Sequence, residues 1–142
     1  MINTVPITAV QTAVYKALTK YTTGYPVIDD TTPLEDGILP ADAVCIIGGI
    51  TAAPQVTKND AVIWETTITV DVYSNYRGKK VINGMVDDIV IVLSGAELEC
   101  NGYDVLMRNV DMVEVRAEDF VDDHIWQHGI VRFVFRVSQT RL

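Results

Sequence analysis

The chain predicts an α+β fold: a mostly antiparallel sheet of four or five strands, with two helices packed on one face. Three observations lead there. The run from Val62 to Tyr73 alternates apolar and polar residues, an apolar stripe at helical spacing follows it to Leu93, and the last run, Ile125–Ser138, alternates again. Strands that are neighbours in sequence and joined by turns favour antiparallel pairing, and apolar helix stripes need a sheet face to cover. The chain has 142 residues, 49% of them apolar and 21% charged, so residues 1–142 suit one domain with a substantial core.

The first element is a helix of about 15 residues. Ile7, Val10, Val14, Leu18 and Tyr21 fall on one stripe at spacings of three and four, with Ala13 and Ala17 alongside. Thr4 is a candidate cap, Pro6 suits the first turn, and the helix is expected to end near Gly24, before Pro26. Val27–Pro40 is rich in Asp, Thr, Pro and Gly and reads as a surface loop. Ala43–Ile50 reads as a buried strand with a bulge at Gly48-Gly49, and Ala52–Asp60 as a second, exposed loop.

In the Val62–Tyr73 strand, Val62, Trp64, Ile68, Val70 and Val72 point one way; Glu65, Thr67, Thr69, Asp71 and Tyr73 point the other. The helix after it carries a stripe of Val81, Met85, Ile89 and Val92, widened by Ile82, Val86 and Leu93. So wide an arc implies burial from two directions, by the sheet and by a neighbouring subunit. Asn101-Gly102 is a strong hairpin signal between Glu97–Cys100 and Tyr103–Met107, and the chain stays strand-like through Val115. An acidic turn, Ala117–Asp123, then leads into the last strand. There Val131, Phe133, Phe135 and Val137 share the core face, while Arg132, Val134, Arg136 and Ser138 face outward.

Composition narrows the function. The formal charge is −8, from 19 acidic and 11 basic residues, which disfavours tight wrapping of nucleic acid. Such a surface serves solubility, or lines a passage through which DNA slides without sticking. No apolar run approaches the ~20 residues of a membrane span, so no membrane partner is expected. The opening MINTVPITAVQ does not read as a signal peptide, and folding in the cytoplasm is the expectation. Cys45 and Cys100 lie far apart beside apolar residues and read as buried, reduced thiols.

Several groups invite a chemical reading. His124 and His128 sit four apart beside Asp122 and Asp123, yet along a strand that spacing spans about 13 Å, too far for one metal ion. Asp87 and Asp88 are neighbours on a helix and point about 100° apart, so they do not converge on one substrate atom. Glu114, Glu118, Asp119, Asp122 and Asp123 read as a solvated turn. Arg77-Gly78-Lys79-Lys80 opens a helix, where backbone N–H groups attract anions, but it lacks the glycines and the Lys-Ser/Thr pair of a phosphate loop. No nucleophile motif is present, so no catalytic, cofactor or metal residue is assigned. The outward mixture of Trp126, Ile130, Val134, Arg132 and Arg136 is instead of the kind enriched at protein interfaces.

Read in order, the segments AVCIIGG, ITVDVYSNYRGKK, VINGMVDDIVIVLS, CNGYDV and WQHGIVRFVFRV resemble the tail completion, or tail terminator, proteins of long-tailed bacteriophages. The similarity runs over residues 5–138 and rests on the order and spacing of short motifs. It implies a non-enzymatic structural protein that forms a ring, usually hexameric, at the head-proximal end of the virion tail. That ring stops tail tube polymerisation and presents a docking surface to the head connector. The implied partners are further copies of the chain, the tail tube protein, the connector or stopper protein and, in a contractile tail, the sheath. DNA would pass through the ring without specific binding, and assembly would take place in the host cytoplasm. Under this reading Arg77, Lys79, Lys80, Asp87, Trp126, Arg132 and Arg136 are the candidate interface residues. The alternatives are another head–tail connector component, a stopper or adaptor, or a small ligand-binding or metal-dependent domain using the Arg77–Lys80 turn or the His124–His128 region.

Overall fold

A computed structural model describes residues 4–22, 24–29, 39, 41–55, 57, 61–119 and 125–140. The elements are α1 (Ile7–Tyr21), β1 (Val27–Ile28), β2 (Ala43–Gln55), β3 (Ile63–Ser74), α2 (Lys80–Gly95), β4 (Tyr103–Asp119) and β5 (Ile125–Gln139). The five strands form one sheet in the order β1-β2-β3-β5-β4. All pairings are antiparallel except β1 with β2, so the sheet is mixed. The α+β class and the two helices agree with the sequence.

The core lies between the helices and one sheet face. Val10, Val14 and Leu18 of α1 and Ile82, Ile89 and Leu93 of α2 meet Ile68, Val70, Val72, Val131, Phe133, Phe135 and Val137. α1 lies over the β1–β3 side, α2 over β3, β5 and β4, and the helices touch each other. The second direction from which α2 is buried is therefore α1 of the same chain. Beneath α2, Gly129 of β5 gives the helix its close approach. A Cβ there would lie 2.5 Å from Val86 Cγ2 and 2.7 Å from Val72 Cγ2.

Several local expectations are corrected. Thr4 does not cap α1; its backbone N–H and hydroxyl reach Gln139 Oε1 and its hydroxyl meets Tyr103, which ties the start of α1 to the end of β5. Tyr21 stands 49% exposed beneath Lys20, off the buried stripe. The Val27–Pro40 loop contributes β1, whose two residues pair with Cys45 and Ile46. β2 bulges at Gly48-Gly49 as expected but continues through Ala52–Gln55, where Pro54 sits opposite Trp64. Past Ile46 the other side of β2 has no partner strand among the described residues, so a missing proline N–H costs the sheet nothing there.

Asn101-Gly102 does turn the chain, with Gly102 at φ +86° and Tyr103 N–H bonded to Cys100 O, but Glu97–Cys100 is not a strand. The partner of Tyr103–Met107 is the distant β5, and β4 continues to Asp119, taking up the first three residues of the expected acidic turn. Asp122, Asp123 and His124 lie outside the described residues.

Candidate functional site

The sheet face away from the helices carries the densest set of polar side chains. Alternation puts Asp71 and Tyr73 of β3 on that face, and register brings His128 of β5 beside them and Glu118 and Arg116 of β4 on its far side. His128 is 4% exposed and stacks on Tyr73, with ring centroids 4.2 Å apart and planes 14° from parallel. Its Nε2 lies 2.7 Å from Asp71 Oδ1, within a hydrogen bond. Its Nδ1 lies 2.6 Å from Glu118 Oε2, close as an ion pair but not aligned as a hydrogen bond. Arg116 stands 3.8 Å from both Glu114 and Glu118. Burial raises the Tyr73 hydroxyl above its ordinary value, Asp71 and Glu118 add to this, and Arg116 opposes it.

This arrangement joins three strands rather than presenting a reactive group. The carboxylates approach opposite nitrogens of one ring, so they do not share a coordination point. Among the described residues no group of three or more His, Cys, Asp or Glu is placed to hold a metal ion. Beside the cluster Val44, Ile46, Tyr73 and Trp126 form a second, smaller apolar core. Asp71→Ala is expected to lower stability by about 1–3 kcal/mol, because His128 would be left buried without its acceptor. Asp71→Asn, which keeps an acceptor oxygen, should lose less. Urea unfolding followed by circular dichroism checks this, and an Ala variant within about 0.5 kcal/mol of wild type contradicts it.

Both cysteines are free and buried. Burial pushes the Cys45 thiol up to about 12 from an ordinary 9.0, with the Asp71 carboxylate adding to it; burial also raises Cys100. Below 9 the folded and unfolded chains both keep the Cys45 proton; between 9.0 and about 12 only the unfolded chain gives it up. The contribution of this thiol to stability is therefore complete below 9 and is lost as pH climbs through that window. Native protein at pH 8 is expected to resist a thiol reagent that labels both cysteines in urea, and Cys45→Ala should flatten the alkaline fall in stability.

The candidate interface residues are not gathered at one place. Arg77, Lys79 and Lys80 are exposed on the turn between β3 and α2, where Gly78 takes φ +89°, a conformation other residues resist. Asp87 is exposed on the outer side of α2; its neighbour Asp88 accepts a hydrogen bond from the Tyr25 hydroxyl at 3.2 Å. Arg132 and Arg136 do lie on the outward face of β5, at 3.8 Å from Asp111 and 3.5 Å from Glu65. These are half-exposed pairs of the sort that contribute about 0–1 kcal/mol. Trp126 is only 5% exposed within the smaller core, which leaves little of it to meet a partner.

Sequence reasoning missed two features. One is the Asp71–His128–Glu118 bridge, whose only signal was the outward position of Asp71. The other is Arg108, which reaches from β4 to the Leu93 and Ala96 carbonyls and satisfies the end of α2. A concavity of about 890 Å³ is an open groove between α1 and Glu99–Asp104, lined by Thr8, Thr12 and Asn101 together with Val5, Ala9 and Tyr103. It is open rather than enclosed, unlike the deep clefts that bury most of a small ligand. No helix among the described residues is long and apolar enough to cross a membrane.

No protein-family model matches the chain, and no curated protein matches it. Among solved structures the chain is similar to one in the "Virion of native gene transfer agent (GTA) particle", at a TM-score of 0.76 and 17% identity. The superposition covers 96% of this chain and 99% of that one. At this identity the likeness is one of fold, and it runs nearly the full length of both: the chain is built like a protein found in a virion particle.

Proposed function

We propose that this chain is a structural, non-enzymatic component of a phage-like virion and acts as a tail terminator. It forms a ring, hexameric by the family resemblance, at the head-proximal end of the tail, halts polymerisation of the tube and offers a seat to the head connector. The observation that carries the reading is the end-to-end fold likeness to a virion chain, 96% against 99% coverage with no large insertion to host a separate activity. The order of short motifs from AVCIIGG to WQHGIVRFVFRV points the same way. The polar groups on the outer sheet face are engaged with one another, which suits a scaffold.

In this reading Arg77, Lys79, Lys80, Asp87, Arg132 and Arg136 face further copies, tube or connector, and Trp126 supports that surface from beneath. The partners are the tube protein, the connector or stopper and, in a contractile tail, the sheath, with DNA passing through unbound. Light scattering across a concentration series is expected to show a six-chain species, alone or on tube ends. A chain that stays monomeric in both settings contradicts the ring. A stopper or adaptor role rests on the same likeness, which is to a virion chain and not to one part of the virion; binding to the portal side with no effect on tubes would select it.

A further inference from the structure

The sheet ends in two unlike edges, and β4 is the long one. Its outer side has no partner strand among the described residues. Bulges at Leu106 and Asp111 interrupt it, leaving Met112–Asp119 as the longest regular run. Unpaired strand edges are templates for another chain unless they are blunted. Apolar surface lies along this one: Leu106 is 54%, Val110 42% and Val113 44% exposed. α2 overlies β5 and β3 as well as β4, and it leaves these side chains in the open.

Charge decides what fits there. From Asp111 to Asp119 the strand holds Asp111, Glu114, Glu118 and Asp119 against Arg116, with Arg132 of β5 beside Asp111. A second β4 laid against it would set acid beside acid. The opposite sign stands on the β3–α2 turn, where Arg77, Lys79 and Lys80 are exposed and form no ion pair among the described residues. Tyr76 in the same turn is 52% exposed and brings an aromatic ring, the kind of residue interfaces favour. The turn and the acidic end of β4 lie at the same end of the sheet, since Ser74 pairs with Gln127 and Gln127 with Ala117. Within one chain β5 separates them. Rotation about an axis along the strands would keep every feature at its own level and bring the turn of one copy level with the acidic end of β4 on the next.

Resting on the ring reading above, we infer that the Met112–Asp119 edge of β4, with Val110 and Val113 beside it, is the seat of a second copy of this chain. That copy presents its Tyr76–Lys80 turn. The contact is heterologous, two different patches of each subunit, which is what a closed ring requires.

Charge reversal tests it. Glu114→Lys makes one variant, and Lys79→Glu with Lys80→Glu the other. All three positions are exposed, and circular dichroism checks folding; should Glu114→Lys melt early, Glu114→Gln carries the same comparison with a smaller effect. Each variant by itself is expected to need at least about tenfold higher concentration than wild type to assemble, because like charges then meet across the contact. An equimolar mixture should assemble near the wild-type concentration, with the two variants alternating. Variants that assemble like wild type, or a mixture no better than its components, overturn the contact while leaving the ring reading intact. Wild-type chains that pair in this charge-dependent way but fail to stop tube growth overturn the terminator reading while leaving the contact. A wild-type chain that never self-associates overturns both.

Discussion

Phe133→Ala is expected to remove about 3–5 kcal/mol of stability, the largest loss of any single truncation argued for this chain. Phe133 is fully buried on β5, between Ile68 of β3 and Val110 of β4, with Phe135 tilted against it at 5.0 Å and 33°. Central strands and helices surround it, so the backbone has little room to collapse into the space left behind. The urea midpoint should fall with an unchanged m-value, while Phe133→Leu, nearer in volume, should cost less than about 1.5 kcal/mol. A loss under about 1 kcal/mol for the Ala variant would mean that the core is not centred where it is described.

Gly129→Val is expected to be nearly as severe, for the opposite reason. Gly129 does not have a positive φ, so the penalty is space rather than backbone strain. A single Cβ already falls 2.5 Å from Val86 and 2.7 Å from Val72, with Ile82 Cδ1 at 3.5 Å. Those neighbours are themselves buried on α2 and β3, so α2 must lift for a larger side chain to fit. Gly129→Ala should cost about 1–3 kcal/mol and the Val variant more. Val86→Ala, destabilising alone, should recover part of the loss when combined with Gly129→Ala. Strictly additive losses in that double-mutant cycle would contradict the close contact.

How much of this was legible in the chain depended on range. The stripe of α1 as far as Leu18, the alternation of β3 and β5 and the bulge at Gly48-Gly49 are local patterns, and the structure agrees with them. β1 was not legible, since two residues carry no period and exist as a strand only through Cys45 and Ile46. Ala52–Gln55 reads as loop by its composition, yet it continues β2 on a free edge, which tolerates Pro54. The Asn-Gly turn suggested a local hairpin, but β4 pairs with a strand that comes later in the chain. Trp126 does lie on the outward side of β5, yet Val44, Ile46 and Tyr73 cover it, and no local pattern shows that cover. The His128 bridge joins Asp71 across 57 residues of sequence, so no local pattern announces it. The free edge of β4 likewise becomes visible only once the strand order is known.

The central claim is that this chain ends a tail. Electron microscopy of tube protein polymerised with and without the labelled chain tests it most directly. The account predicts short tubes of narrow length distribution, each with a ring carrying the label at one end only. Tubes that grow to the same lengths in its presence, with label absent from their ends or scattered along their sides, would contradict it.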